Sequence, residues 1–274
     1  MLTIMVDSLF WILLTFIGIL SIAFITIVVI FIVGKRREKR KEHAFDYFSK
    51  ILHDLKTPIY AIDGFTLLAT NSINDSVKTK EYLNKISNIS RHMLSLVMDV
   101  LDLSKLNNDK LEITNTIESL PNLIDDCLNN VEPQMLRRNI QFKRDIQITH
   151  NKIIVDKLHL IQILTNLLSN AIKYTEPEGT ISLTILEQQK NEETSTYIFK
   201  VQDTGYGMSE EFQQHIFEPF AQERVMAHTD VESSGLGLFL VKKFVDLMNG
   251  TIEVESKQNE GSCFTIVIDL DFIF

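Results

Sequence analysis

Apolar residues follow three different patterns along this 274-residue chain, and each predicts a different kind of element. From Ser8 to Gly34 there are 27 consecutive residues without a charge, SLFWILLTFIGILSIAFITIVVIFIVG. A helix of that length reaches about 40 Å, beyond the ~30 Å of a bilayer's hydrocarbon core, so the run predicts a membrane span. From residue 45 the spacing changes to alternating steps of three and four: Phe45, Phe48, Leu52, Leu55, Ile59 and Ile62, then Tyr82, Ile86, Ile89, Met93, Leu96, Val100 and Leu103. These are the seams of two long helices packed in coiled-coil fashion. The polar stretch Thr70–Lys78 between them reads as a hairpin tip. Seams this narrow bury little alone, so the hairpin is expected to pair with a second copy as a four-helix bundle, which makes the chain a homodimer.

Beyond Asp109 short apolar runs alternate with helical patterns. Strands are expected at Leu111–Thr114, Ile140–Lys143, Ile153–Val155, Thr180–Leu186, Tyr197–Val201, Thr251–Ser256 and Cys263–Leu270. Helices are expected at Ser119–Val131, Lys157–Tyr174, Glu210–Ile216 and Leu238–Met248. The mixed order, ending in a hairpin across KQNEG, predicts an α+β two-layer sandwich with an antiparallel-leaning sheet and helices on one face.

Composition sharpens this layout. With 45% hydrophobic residues, five prolines, ten glycines and two cysteines, the chain is neither disordered nor disulfide-stapled. Its mean hydropathy of +0.06 is accounted for by the N-terminal run. That run is too long for a signal peptide, has Asp7 and no basic residue before it, and ends without a small-residue cleavage site. Six basic residues follow within seven positions, Lys35, Arg36, Arg37, Lys39, Arg40 and Lys41. By the positive-inside rule they keep the remainder cytoplasmic and the N-terminus outside. Residues 43–274 carry 21 basic and 33 acidic groups, which argues against direct nucleic-acid binding. Cys127 and Cys263, distant in sequence and lacking any CxxC, read as ordinary buried thiols.

Five constellations carry candidate chemistry. His53 sits beside Asp54 at the rim of the first seam, followed by Lys56-Thr57-Pro58. An imidazole there can act as a nucleophile through its unprotonated nitrogen, with the carboxylate fixing the tautomer and Pro58 loosening the turn. Asn166, Asn170 and Lys173 share one face of a helix that ends at Tyr174, offering amide oxygens and a cation suited to Mg²⁺ and phosphate. Asp203-Thr-Gly205-Tyr-Gly207 follows a strand, where a carboxylate can accept from an amino group and glycines allow close backbone approach to a flat ring. Ser233-Ser234-Gly235-Leu236-Gly237-Leu238 runs into a helix and presents amides to an anion, although it is neither a Walker loop nor a Rossmann fingerprint. Between these glycine clusters, Met208–Ser234 with Phe217-Glu-Pro-Phe220 has the length of a lid.

In this order the motifs resemble those of bacterial sensor histidine kinases of two-component systems. HDLKTP is similar to the family's phosphoacceptor box, NLLSNAIKYT to its N box, DTGYG and SSGLGL to its glycine boxes, FEPF to its phenylalanine box, and NEGSCF to its last glycine element. The resemblance covers residues 42–274 and implies four parts: a span at 8–34, a basic juxtamembrane segment at 35–42, a dimerisation and phosphotransfer hairpin at 43–106, and a Bergerat (GHKL) type ATP-binding domain at 111–274. It implies that His53 accepts the γ-phosphoryl group of ATP, with Asp54 as general base and Thr57 positioning water in regulator dephosphorylation. Asn170 and Asn166 would hold Mg²⁺, Lys173 and Tyr174 contact phosphates and ribose, Asp203 bind the adenine amino group, and Ser234, Gly235, Leu236, Gly237 and Leu238 the triphosphate. Gly205, Gly207 and Phe217 would complete the nucleotide pocket.

Three positions depart from the family pattern: Ser233 where glycine is usual, His159 where arginine is frequent, and Gln222 after the phenylalanine box, where Arg224 is the candidate substitute. The expected partner is a cytoplasmic response regulator with a receiver Asp, the expected location the bacterial cytoplasmic membrane. With seven residues before the span, the signal is expected to enter through the bilayer or a neighbouring membrane protein. Alternative readings are a protein that acts mainly as a regulator phosphatase, a non-catalytic nucleotide-binding membrane scaffold, and a different ATPase of the same nucleotide fold.

Overall fold

The computed structural model describes residues 41–107, 112–223 and 235–273. The expected span at 8–34 and the basic segment through Arg40 lie outside the described residues, as do Ser234 and Arg224. Among the described residues no helix is long and apolar enough to cross a membrane. The chain divides into two compact units, residues 1–109 and 110–274.

The first unit is a helical hairpin of α1 (Lys41–Asn71) and α2 (Ser76–Asn107). Its turn is closed by Asp75, whose carboxylate accepts from the Lys78 amide at 3.1 Å, and by the Thr79 hydroxyl, which donates to the Ser72 carbonyl at 2.6 Å. The α2 seam is as its spacing predicts: Met93, Leu96 and Leu103 are buried, and Tyr82, Ile86, Ile89 and Val100 half-buried. On α1 the expected seam holds at Leu55 and Ile62 but not at Ile59, and the side chains of Phe45 and Phe48 lie outside the described residues. Ile51, Leu55, Pro58, Ile62 and Ala69 are buried, while Ile59 of the expected seam is exposed. The apolar arc of α1 is wider than one seam, and α2 covers only part of it. Helix α1 runs unbroken through Pro58, which offers no amide for an i−4 hydrogen bond.

The second unit is the expected two-layer α+β sandwich. Its seven strands are β1 (Thr116–Ser119), β2 (Gln141–Gln147), β3 (Lys152–Val155), β4 (Thr180–Gln189), β5 (Thr194–Asp203), β6 (Thr251–Lys257) and β7 (Gly261–Ile273). They lie in the order β1-β3-β7-β5-β4-β2, with β6 also paired to β7. Only the β2–β4 pairing is parallel; the others are antiparallel. Alternate residues point to a single helical layer: Ile181, Leu183 and Ile185 of β4, Tyr197, Phe199 and Val201 of β5, and Phe264, Ile266 and Ile268 of β7. Helices α3 (Leu120–Arg137), α4 (Lys157–Tyr174) and α6 (Gly237–Leu247) cover that face through Leu123, Ile124, Leu160, Leu164, Leu168, Leu240 and Phe244, among others. Each such side chain contributes about 1.5–3 kcal/mol by leaving water.

Several boundaries differ from the sequence expectation. The first strand lies at 116–119, not 111–114, because register with β3, Thr116 against Val155, decides it. Helix α3 continues through Pro133 to Arg137, and the helix expected at 210–216 is a four-residue α5 (Glu210–Gln213) followed by turns. Cys127 is fully buried, but Cys263 is half-exposed on the outer face of the sheet. At the end of the sheet away from Asp203, Glu187 takes amides from Thr149 and His150 and lies 2.5 Å from His150 Nδ1. Although burial pushes its pKa up, these partners and Ser195 hold Glu187 down at about 2.

Candidate functional site

Helix α4 places three of the expected polar residues. Asp156 caps it, its side chain accepting from the His159 amide at 3.0 Å, and the apolar residues Leu160, Ile163, Leu164, Leu167 and Leu168 bind it to the sheet. This fixes its rotation, so Asn166, Asn170 and Lys173 line the opposite, half-buried side. The Asn166 Nδ2 is buried and makes no hydrogen bond. Burial lowers the Lys173 pKa to about 8, and its ammonium sits 5.1 Å over the Tyr174 ring. A buried amide with an unmet donor beside a desolvated cation is an arrangement completed by an anionic ligand.

The C-terminal end of α4 is held by a residue that sequence reading did not single out. Arg138 donates through Nη1 to the carbonyls of Ile172, at 2.5 Å, and Lys173, at 3.1 Å. A guanidinium there satisfies carbonyls that lack helical partners and complements the negative end of the helix. No local spacing could reveal it, since the contact spans 34 positions.

The turn Asp203–Gly207 docks directly on this end. Tyr206 N donates to the Tyr174 carbonyl at 3.1 Å, and Asn259 N, in the β6–β7 turn, donates to the Tyr206 carbonyl at 2.6 Å. The glycines owe their identity to this packing: a Cβ would meet the Tyr174 carbonyl at Gly205, the Lys257 carbonyl at Gly207 and the Asp203 carbonyl at Gly261. The sequence reading assigned Gly205 and Gly207 to close approach of a ring, but backbone-to-backbone packing is the constraint here. Asp203 is buried at the end of β5, its Oδ1 accepting from Gly205 N at 2.8 Å. Burial outweighs that bond and pushes its pKa up to about 6. A buried carboxylate with acceptor capacity left suits an amino donor of a flat base.

Helix α6 begins on the other side of Asn166. Its N-cap position, Leu236, supplies no side-chain cap, and the amides of a helix's first turn are donors suited to an anion. Gly237 faces Asn166, its Cβ position 3.4 Å from Oδ1, leaving an opening that a side chain would fill. Leu236 is fully buried, so its side chain belongs to the core; Leu238 is half-buried. Gly235, at φ +68, packs against the backbone of Phe220, whose amide donates to the Gly235 carbonyl at 2.9 Å. Phe220 is buried and Phe217 half-buried. Thus Asn166, Asn170, Lys173, Tyr174, Asp203, Gly205, Gly207, Gly235 and Gly237 surround one end of the sandwich.

His53, Asp54 and Thr57 lie on α1 in the other unit. The side chains of His53 and Asp54 lie outside the described residues, whereas Thr57 is exposed one turn beyond His53.

Residues 46–109 match the His Kinase A (phospho-acceptor) domain, and residues 155–271 the histidine kinase-, DNA gyrase B-, and HSP90-like ATPase domain. The chain carries both domains of a histidine kinase, the phosphoacceptor and the ATPase. The kinase is 33% identical over 242 residues to the autoinducer 2 sensor kinase/phosphatase LuxQ of Vibrio harveyi, covering 86% of this chain and 28% of LuxQ. It is 35% identical over 228 residues to the circadian input-output histidine kinase CikA of Synechococcus elongatus, covering 81% of this chain and 29% of CikA. It also matches the crystal structure of histidine kinase ThkA in complex with response regulator protein TrrA, with a TM-score of 0.61 at 24% identity, covering 86% of this chain and 65% of that one. At that identity the likeness is one of fold. The kinase spans under a third of the length of the curated relatives it matches. Its domains and these relatives support protein-histidine kinase activity and ATP binding.

Proposed function

We propose that this chain is a membrane-anchored sensor kinase that phosphorylates His53 from ATP and passes the phosphoryl group to an Asp of a cytoplasmic response regulator. The observation that carries the nucleotide half is the buried Asn166 Nδ2, which makes no hydrogen bond, on the helix face that carries Lys173 and opposite Gly237 in the first turn of α6. On this reading Asp203 accepts the adenine amino group, while Lys173 and the α6 amides neutralise phosphate charge. Asn170 and Asn166 offer amide oxygens to Mg²⁺, a hard cation that takes its remaining oxygens from phosphates and water. Mg²⁺ supplies charge neutralisation during transfer.

The protein's part in the chemistry is alignment and a proton. A ring nitrogen of His53 attacks the γ-phosphorus, the bond to the β-γ bridging oxygen breaks and ADP leaves, while Asp54 takes the ring proton. The phosphorylated ring then meets the regulator carboxylate, which displaces His53. That ThkA was crystallised with a response regulator supports this partner. The exposed apolar residues of α1 and α2 support a dimeric bundle. The 27-residue uncharged run followed by six basic residues supports a single span with the kinase inside.

His53→Gln tests the assignment. Incubation with γ-phosphate-labelled ATP is expected to give acid-labile, base-stable label on the wild type and none on the variant, while Mg²⁺·AMP-PNP still binds both. Label retained by the variant would overturn it. A second reading, dephosphorylation of the regulator, is favoured by the exposure of Thr57, whose hydroxyl can orient an attacking water.

A further inference from the structure

The carboxylate of Asp156 is buried, yet it gathers three contacts from different parts of the sandwich. Its Oδ1 accepts from the His159 amide at 3.0 Å, capping the helix that carries Asn166, Asn170 and Lys173. Its Oδ2 accepts from the amide of Thr114 at 2.7 Å, across 42 positions. Thr114 is exposed and lies in the segment 112–115 that leads into β1 from the direction of the hairpin. The third contact is the imidazole of His159 itself. Its Nδ1 stands 2.9 Å from Oδ2 but off the line of a straight hydrogen bond.

The same ring reaches the opposite way. It lies against Phe244 with centroids 4.7 Å apart and planes tilted by 49°. Phe244 is fully buried on α6, the helix that opens at Gly237 beside Asn166. One buried side chain therefore touches the anchor of the incoming segment, belongs to the helix with the amide and ammonium groups, and packs on the helix whose first amides face them.

We infer that His159 is a positioning residue that couples docking of the segment at Thr114 to nucleotide affinity. With Thr114 N on Asp156, the carboxylate is held, the ring is fixed between it and Phe244, and α4 and α6 keep the separation a triphosphate needs. When Thr114 leaves, Oδ2 is left to the ring alone, the off-line Nδ1 contact is free to straighten, and the ring shifts on Phe244. Because coupling is reciprocal, nucleotide binding in turn holds Thr114 in place. This inference rests on the nucleotide reading of the site.

The test is a double-variant cycle on the purified 274-residue chain, with Mg²⁺·AMP-PNP as the probe. Thr114→Pro removes the amide donor at an exposed position without touching the core, and His159→Phe keeps a ring on Phe244 while removing Nδ1. Each is expected to weaken binding about fivefold, and the double variant no more than the weaker-binding single within about twofold. Hydrogen exchange at the Thr114 amide is expected to slow with AMP-PNP in the wild type and not in His159→Phe. If His159→Phe fails to reach the wild-type melting temperature, His159→Gln takes its place in the cycle. Binding unchanged by Thr114→Pro, or effects that multiply in the double variant, would overturn the coupling while leaving the nucleotide site standing. A wild type that fails to bind AMP-PNP would remove both.

Discussion

The two units solve the burial problem in opposite ways. The sandwich closes on itself: Tyr197, Phe199 and Phe244 are fully buried between one sheet and three helices. The hairpin leaves large apolar side chains in water on both helices, among them Tyr60 and Leu67 at 63% exposure each and Leu94 at 55%. A two-helix unit cannot enclose a core, so its wider apolar arc is half of an interface and its stability depends on a second copy. The proposed nucleotide site stands on the self-sufficient unit, and the proposed nucleophile on the one expected to need a partner. The difference separates what each unit needs: rigid close packing in one, assembly in the other.

The largest effect is expected where close packing is tightest. Gly205→Ala drives a methyl into the Tyr174 carbonyl, between β5 and the end of α4. The nearest atoms are the Tyr174 backbone carbonyl, with the buried Asp203 carboxylate next, so the methyl cannot be accommodated by a flexible side chain alone and the sandwich should lose about 3 kcal/mol or more. Calorimetry of the full chain should show the sandwich transition moving down by many degrees while the hairpin transition stays. A joint shift of both transitions would show that the units do not fold independently.

Assembly is tested from the other side. Leu67→Glu puts a charge on the exposed arc of α1 and is expected to weaken self-association at least about tenfold by sedimentation, through an unpaired carboxylate in an apolar interface. Binding of AMP-PNP should be unaffected. An unchanged association constant would move the interface to another part of the arc.

How much of this could be read from sequence divides along the same line. The N-box helix, Lys157–Tyr174, has the expected bounds because an Asp cap, a strong apolar periodicity and a polar break all agree locally. The α2 seam was legible for the same reason. The α1 seam was legible only in part, at Leu55 and Ile62, because overlapping apolar stripes leave the rotation to whichever partner α2 covers. β1 was misplaced because a four-residue strand takes its position from register with β3, not from its own residues. At the site, the spacing of Asn166, Asn170 and Lys173 announced a polar face. Arg138 and the Thr114–Asp156 bond were invisible, since each joins residues more than thirty positions apart. The glycines were legible as markers but not in their reason, which is packing against carbonyls on three neighbouring segments.

The finest prediction concerns the two titrating groups that the sandwich alone provides. Burial holds Asp203 up at about 6 and Lys173 down at about 8. On the proposed reading, nucleotide binding needs the first ionised, to accept the adenine amino hydrogen, and the second protonated, to meet phosphate. Affinity for AMP-PNP is therefore expected to be highest midway between these values, about halved at either, and lower by a factor of about four half a unit beyond either. Asp203→Asn should abolish the acid limb, and Lys173→Arg the alkaline one. Linkage fixes the accompanying stability change. A carboxyl whose folded pKa is raised favours the folded state when protonated, so its penalty is present above about pH 6 and relieved as pH falls through that value. At pH 7.5 Asp203→Asn should thus raise the melting temperature of the sandwich by a few degrees while weakening AMP-PNP binding. A melting temperature that fell in step with affinity would make Asp203 a structural acceptor for Gly205 and not a group held ready for ligand.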